Sequence, residues 1–97
     1  MIETLEQEAT LLIQGDTYQA WATQADIIEE KPRKLKLWLA VDEHHTWERL
    51  TQCLRASQSV RVTIKEKYSG LFYVVKVENQ ARGSVFIMKN DGAFVIG

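Results

Sequence analysis

Apolar and polar residues alternate most regularly over residues 60–79. Val, Ile, Thr, Tyr and Phe dominate this stretch, and these residue types favour a half-buried β-sheet surface. The period of two predicts a β-hairpin with a two-residue turn at Ser69-Gly70, because glycine adopts positive φ without steric cost. In this register Ile64 pairs with Val75 on the side that faces the core.

Two further segments show strand patterns. Lys34–Val41 alternates almost strictly, so one side is predicted to face the core and the other to carry Lys34, Lys36 and Trp38. Near the end of the chain, Val85–Asn90 and Ala93–Ile96 are predicted to form a second hairpin about Asp91-Gly92, a strong turn signal. Residues 79–84 are predicted to form a short loop between the two hairpins.

Two segments have helical spacing. Thr4-Leu5-Glu6-Gln7 has the form of a capping box, and an apolar stripe follows as far as Gly15, which is placed to end a helix. A second helix is predicted from an N-cap at Thr46 to about Ser57. Its buried stripe consists of Trp47, Leu50, Cys53 and Leu54.

Tyr18–Ile28 fits either structure. Tyr18, Trp21, Ala22 and Ala25 have helical spacing, whereas alternation along the same residues is imperfect. A weak internal similarity favours a strand. The Thr-x-Glu of the first predicted helix recurs 42 residues later in the second, and the same offset aligns this segment with the strand that begins at Val60.

These elements predict a single α+β domain over residues 1–97. Its order is α-β-β-α-β-β-β-β, with two helices packed on one face of an antiparallel sheet. If Tyr18–Ile28 were helical, the order would be α-α-β-α-β-β-β-β.

Composition limits the class of protein and its cellular compartment. At 45% hydrophobic and 26% charged residues, the chain is typical of a globular protein. Apolar runs are too short to cross a bilayer, the first residues lack a signal-peptide pattern, and the lone Cys53 suits a reducing compartment. We therefore expect a cytoplasmic protein that does not associate with membranes.

The sequence offers little chemistry. Asp42-Glu43-His44-His45 contains metal-ligand residue types, but four consecutive residues cannot converge on one ion, which favours a solvated loop. Cys53 lies on an apolar helical stripe and is interpreted as a small core residue rather than a nucleophile. Phosphate-binding and dinucleotide-binding glycine motifs are missing. We expect no catalysis, no metal and no cofactor.

Charge is distributed unevenly, although the net charge is only −1. Residues 1–30 contain seven acids and no lysine or arginine, whereas residues 31–97 contain all twelve basic residues and six acids. Either the acidic segment packs on the basic one, or this polarity attracts a charged partner. The sheet face opposite the helices is predicted to combine basic and apolar side chains: Lys34, Lys36, Arg61, Lys65, Lys67, Lys76 and Lys89 with Trp38, Phe72, Val74, Ile87, Phe94 and Ile96.

Two functions fit such a face. The favoured one is a protein-interaction or assembly module that binds a protein partner, or a second copy of itself, through this face or the edge strand at Ala93–Ile96. Its anchors would be Trp38, Phe72 and Phe94, because aromatic side chains often carry interface energy. The alternative is a single-stranded nucleic-acid-binding domain, in which the same aromatics stack on bases and the lysines follow the phosphates.

Overall fold

The computed structural model describes residues 1–81 and 83–97. Within these residues the chain forms six strands and one helix: β1 (Ile2–Ile13), β2 (Asp16–Ile28), β3 (Lys34–Val41), α1 (His44–Ala56), β4 (Val60–Ile64), β5 (Tyr68–Gln80) and β6 (Gly83–Ile96). The strands close into an antiparallel barrel in the order β1-β2-β3-β6-β5-β4. It consists of two three-stranded meanders, β1–β3 and β4–β6, which are joined through α1.

The predicted α+β sheet with two helices is therefore wrong, and the first predicted helix is strand β1. Odd-numbered residues of β1 point inward and end in a buried series at Ala9, Leu11 and Ile13. Gln14 and Gly15, both with positive φ, form a two-residue hairpin turn to β2 instead of a helix C-cap. Pairing with β2 and β4 outweighs the local capping signal, because a strand inside a sheet gains hydrogen bonds on both sides.

The predicted strand at Tyr18–Ile28 is confirmed, since β2 spans Asp16–Ile28. The internal similarity that favoured it does not describe a structural repeat, because its two Thr-x-Glu segments lie in strand β1 and helix α1. The prediction for β3 is confirmed with the same bounds, and its inward series is buried. That series consists of Leu35, Leu37, Leu39 and Val41.

Helix α1 connects the two meanders at one end of the barrel and packs Leu50 and Cys53 into the barrel core. The predicted end near Ser57 is confirmed, with Ser57 as a left-handed C-cap. The N-cap is Glu43 rather than Thr46: its carboxylate accepts from the backbone N–H groups of His45 at 2.9 Å and Thr46 at 2.8 Å.

The predicted Ser69-Gly70 turn is wrong, and this error exchanges the inward and outward sides of strand β5. The turn lies at residues 65–67, so Ile64 pairs with Tyr68 instead of Val75. Gly70 lies within β5, where a Cβ atom would come within 3.1 Å of the Cβ atom of Phe94. This glycine therefore allows close approach of two strands and does not make a turn.

Strand β6 is continuous, so the predicted hairpin about Asp91-Gly92 is also wrong. Both of its halves pair with β5, and residues 91–93 form an outward bulge between Asn90 and Phe94. Strand β3 pairs with β6 only up to Lys36 and Lys89. The last residues of β6 therefore leave an open seam between β3 and β6 at the end of the barrel opposite α1.

The predicted loop at 79–84 includes Arg82, which lies outside the described residues; β5 ends at Gln80 and β6 begins at Gly83. In the part of the chain that the structure describes, no helix combines the length and hydrophobicity needed to cross a membrane.

Candidate binding face on strands β3, β6 and β5

The outward sides of β3, β6 and β5 form one continuous surface, which we call the basic face. Its charged and aromatic members are Lys36 and Trp38 on β3, Lys89 on β6, and Tyr73, Lys76 and the single acid Glu78 on β5. Strand register orders them in two neighbouring rows: Lys36, Lys89 and Tyr73 in one, and Trp38, Ile87 and Lys76 in the other. Three lysines and two aromatic rings therefore lie within reach of one ligand.

Lys36 and Lys89 are direct cross-strand partners. Side chains in such positions have Cβ atoms about 4.5–5.5 Å apart, and like charges there are destabilising. The acid in the same row, Asp26, accepts a 3.0 Å hydrogen bond from the N-terminal ammonium of Met1. Among the described residues no carboxylate lies within 4.0 Å of either lysine. The fold thus places two positive charges side by side, and the carboxylate opposite Lys36, that of Asp26, is paired with the N-terminal ammonium.

Trp38 is half-buried and gives the basic face an apolar centre. The ammonium of Lys36 lies 5.0 Å from the centre of its ring, within cation–π range. Its partner Ile87 is only 6% exposed although it lies outside the barrel core cluster. The flanking side chains therefore cover Ile87 on the outer surface, which leaves Trp38 and the 39%-exposed Tyr73 as the accessible rings.

The open seam forms a cavity of about 550 Å³ beside the basic face. Arg33, Lys34 and Lys89 line it together with Tyr73 and Phe94. The Arg33 guanidinium lies 5.9 Å from the centre of the Phe94 ring. Arg33 and Lys34 each form an ion pair, with Glu29 at 3.3 Å and Glu30 at 3.2 Å. Lys89, which the seam shares with the basic face, forms no ion pair among the described residues.

Only some of the residues predicted for one face are brought together. Lys36, Trp38 and Lys76 belong to the basic face, and Phe94 borders it at the seam. Phe72 is fully buried, so its predicted outward position is wrong, and the same holds for Val74 at 6% exposure. Arg61 lies on the neighbouring strand β4, opposite Leu71 of β5, and Lys65 and Lys67 lie in the β4–β5 turn, outside the two rows of the basic face.

Sequence reasoning missed Tyr73, which the predicted register placed in the core. A three-residue turn at Lys65-Glu66-Lys67 reverses the inward and outward sides of β5 relative to a two-residue turn at Ser69-Gly70. The signal was present in the sequence: Lys65-Glu66-Lys67 is the most polar stretch between the two apolar runs.

Ionisable groups with shifted pKa values lie away from the basic face. Hydrogen bonds from Tyr68 at 2.6 Å and Lys67 at 3.0 Å lower the pKa of Glu3 near the start of β1. The backbone N–H groups of His45 and Thr46 lower the pKa of Glu43, and burial raises the pKa of Cys53. Glu3 joins β1 to Lys67 and Tyr68, Glu43 caps helix α1, and Cys53 belongs to the core.

Tyr68 leads to a prediction at alkaline pH. Burial, together with its bond to the Glu3 carboxylate, raises the pKa of Tyr68 from 10.0 to about 12. The unfolded chain therefore loses this proton first, and the associated free energy of unfolding falls as pH rises from 10.0 to about 12. Subtracting the absorbance titration of Tyr68→Phe from that of the wild type should give a phenolate step near 12; a step near 10.0 would contradict the buried hydrogen bond.

His44 and His45 begin α1 instead of lying in a loop. His44 Nε2 lies 3.3 Å from the Glu48 carboxylate, and the His45 ring lies 5.6 Å from that of Tyr18. Within residues 1–81 and 83–97, no three His, Cys, Asp or Glu side chains form a group that could hold a metal ion.

The chain was compared with known proteins at three levels. No protein-family description, curated protein or solved structure matches it. A functional assignment therefore depends on the geometry and charge of the chain itself.

Proposed function

We propose that this chain is a small non-catalytic interaction module that binds an acidic protein surface through the basic face. The observation that carries the proposal is the cross-strand placement of Lys36 and Lys89, without a carboxylate within 4.0 Å among the described residues. Such a pair costs folding free energy. An anionic partner removes that cost on binding, and complementary charge also speeds association.

The aromatic side chains support a protein partner. Trp38 and Tyr73 are partly exposed beside the lysines, and aromatic groups in the centre of a patch with a charged rim are typical of interface anchors. A non-catalytic role agrees with the positions of the shifted pKa values, since those groups have structural partners or are buried. We propose the cytoplasm as the compartment, because the single cysteine is a buried, reduced thiol.

Binding of single-stranded nucleic acid is the second candidate. The same rings could stack on bases while Lys36, Lys76 and Lys89 contact phosphates. Against it, the overall charge is −1, whereas dedicated nucleic-acid-binding domains are usually basic. The protein partner is therefore favoured.

Fluorescence anisotropy with two labelled probes, poly-glutamate and oligo-thymidine, tests the proposal. We expect poly-glutamate to bind, and Lys36→Glu/Lys89→Glu to weaken it by about tenfold or more. The matched control is Arg49→Glu/Arg55→Glu, which makes the same charge change on helix α1. Trp38→Ala should also weaken binding without changing the melting temperature by more than a few degrees.

Three results would count against this proposal. If the control variant weakens poly-glutamate binding as much as the test variant, net charge rather than the basic face is responsible. If oligo-thymidine binds more tightly, with an affinity that falls steeply with salt, the nucleic-acid function replaces it. If neither probe binds at low ionic strength, the basic face is not an anion-binding surface.

A further inference from the structure

An acidic surface lies on strands β1 and β2 of the same barrel. Neither β1 nor β2 contains a lysine or arginine. Glu6 and Glu8 point outward from β1, and among the described residues neither forms an ion pair. Together with Trp21 on β2, these residues form what we call the acidic wall.

Trp21 is the most exposed aromatic residue of the described chain, at 45%. Its Nε1 atom donates a 2.8 Å hydrogen bond to Glu6, which fixes the ring across the outer surface of β1 and β2. Beside it, a groove of about 490 Å³ runs over Ala40 and Val85, with Glu8 at its rim. The acidic wall therefore offers an oriented ring, a depression and negative charge, features that complement a lysine side chain.

The carboxylates of the acidic wall and the lysines of the basic face lie on different strands, and the two surfaces adjoin where Trp21 of β2 pairs with Ala40 of β3. In the closed order β1-β2-β3-β6-β5-β4, β1 lies opposite β6 and β2 lies opposite β5. The carboxylates on β1 therefore point away from Lys89 on β6, and neither surface neutralises the other within one copy. Each surface nevertheless carries the charge that the other requires.

We propose that the acidic protein surface recognised by the basic face is the acidic wall of a second copy of this chain. This inference rests on the proposed function and names its partner. Trp38 and Lys36 of one copy would meet the region around Trp21 and Glu8 of the next, so that the half-buried Trp38 and the exposed Trp21 both become covered.

The geometry also determines the type of assembly. Because the two surfaces adjoin at β2 and β3, one two-fold partner can satisfy both at once, so the contact is isologous. Such a contact closes at two copies. The mass of the assembly should therefore rise to that of a dimer as concentration increases, and not beyond it.

Light scattering over a concentration series tests this proposal at about 0.01 M and about 1 M salt, where the Debye length falls from about 30 to about 3 Å. We expect concentration-dependent assembly at low salt and dissociation at high salt. Lys36→Glu/Lys89→Glu and Glu6→Lys/Glu8→Lys should each be monomeric alone, because each presents two surfaces of the same sign. An equimolar mixture of the two variants should assemble again.

The control Arg49→Glu/Arg55→Glu, on helix α1, should assemble like the wild type. A wild type that stays monomeric while still binding poly-glutamate would overturn self-association and leave the proposed function standing. A salt-resistant dimer that both charge reversals retain and Val95→Lys abolishes would also overturn it. That result would mean pairing through the open edge of β6, where Val95 is 63% exposed.

Discussion

Replacing Ile64 with aspartate is expected to leave the chain unfolded at room temperature. Ile64 is 1% exposed and lies in β4 between Ala9 of β1 and Tyr68 of β5. The substitution loses about 1.5–3 kcal/mol of apolar burial. It also places a carboxylate in the core, which costs several kcal/mol more. Together these terms approach the whole stability of a domain of this size, about 5–15 kcal/mol.

Circular dichroism and thermal melting provide the measurement, and Thr63→Asp is the matched control. Thr63 immediately precedes Ile64 in β4 and points outward, so the same carboxylate would remain in water. We expect the control to melt cooperatively within a few degrees of the wild type. Similar melting of the two variants would mean that the inward side of β4 is assigned incorrectly.

Phe72→Ala is expected to lower the free energy of unfolding by about 3–5 kcal/mol, the range for truncation of a buried phenylalanine. The Phe72 side chain is fully buried, and its backbone pairs with Val60 and Asn90. Truncation leaves a cavity where β5 meets both of its neighbours. Denaturant unfolding should show a lower midpoint with a nearly unchanged slope.

Tyr73→Ala, at the next position of β5, separates stability from binding. Tyr73 is 39% exposed on the basic face, so its loss should cost little stability but weaken poly-glutamate binding. If Phe72→Ala instead kept wild-type stability and lost binding, the phenylalanine would face outward and the β5 register would be wrong.

Strands with a strict period of two were predictable from the sequence, and β3 was found with its observed bounds. The capping-box pattern at Thr4-Leu5-Glu6-Gln7 was misleading because β1 is stabilised by distant partners: Leu11 pairs with Tyr18 and with Val62. Local spacing carries no information about such long-range pairing. Barrel closure was unpredictable for the same reason.

The candidate site was predicted in part. Lys36 and Trp38 follow from the alternation of β3 alone, so their outward position did not depend on any turn. Phe72 was assigned to the wrong side because the predicted turn determined which residues of β5 point inward, and that turn was wrong. The placement of Lys36 opposite Lys89 could not be predicted from the sequence, because it depends on the pairing of β3 with β6, two strands from different meanders.

The two-meander architecture has a consequence for synthesis on the ribosome. Strands β1–β3 form a contiguous first half of the chain, but their outer members, β1 and β3, acquire their second neighbours only from β4 and β6. While translation of the second half continues, the nascent first half therefore exposes two unprotected strand edges. Neither half can shield its apolar interior until the other has emerged, so the barrel is expected to close only after β6 has left the ribosome.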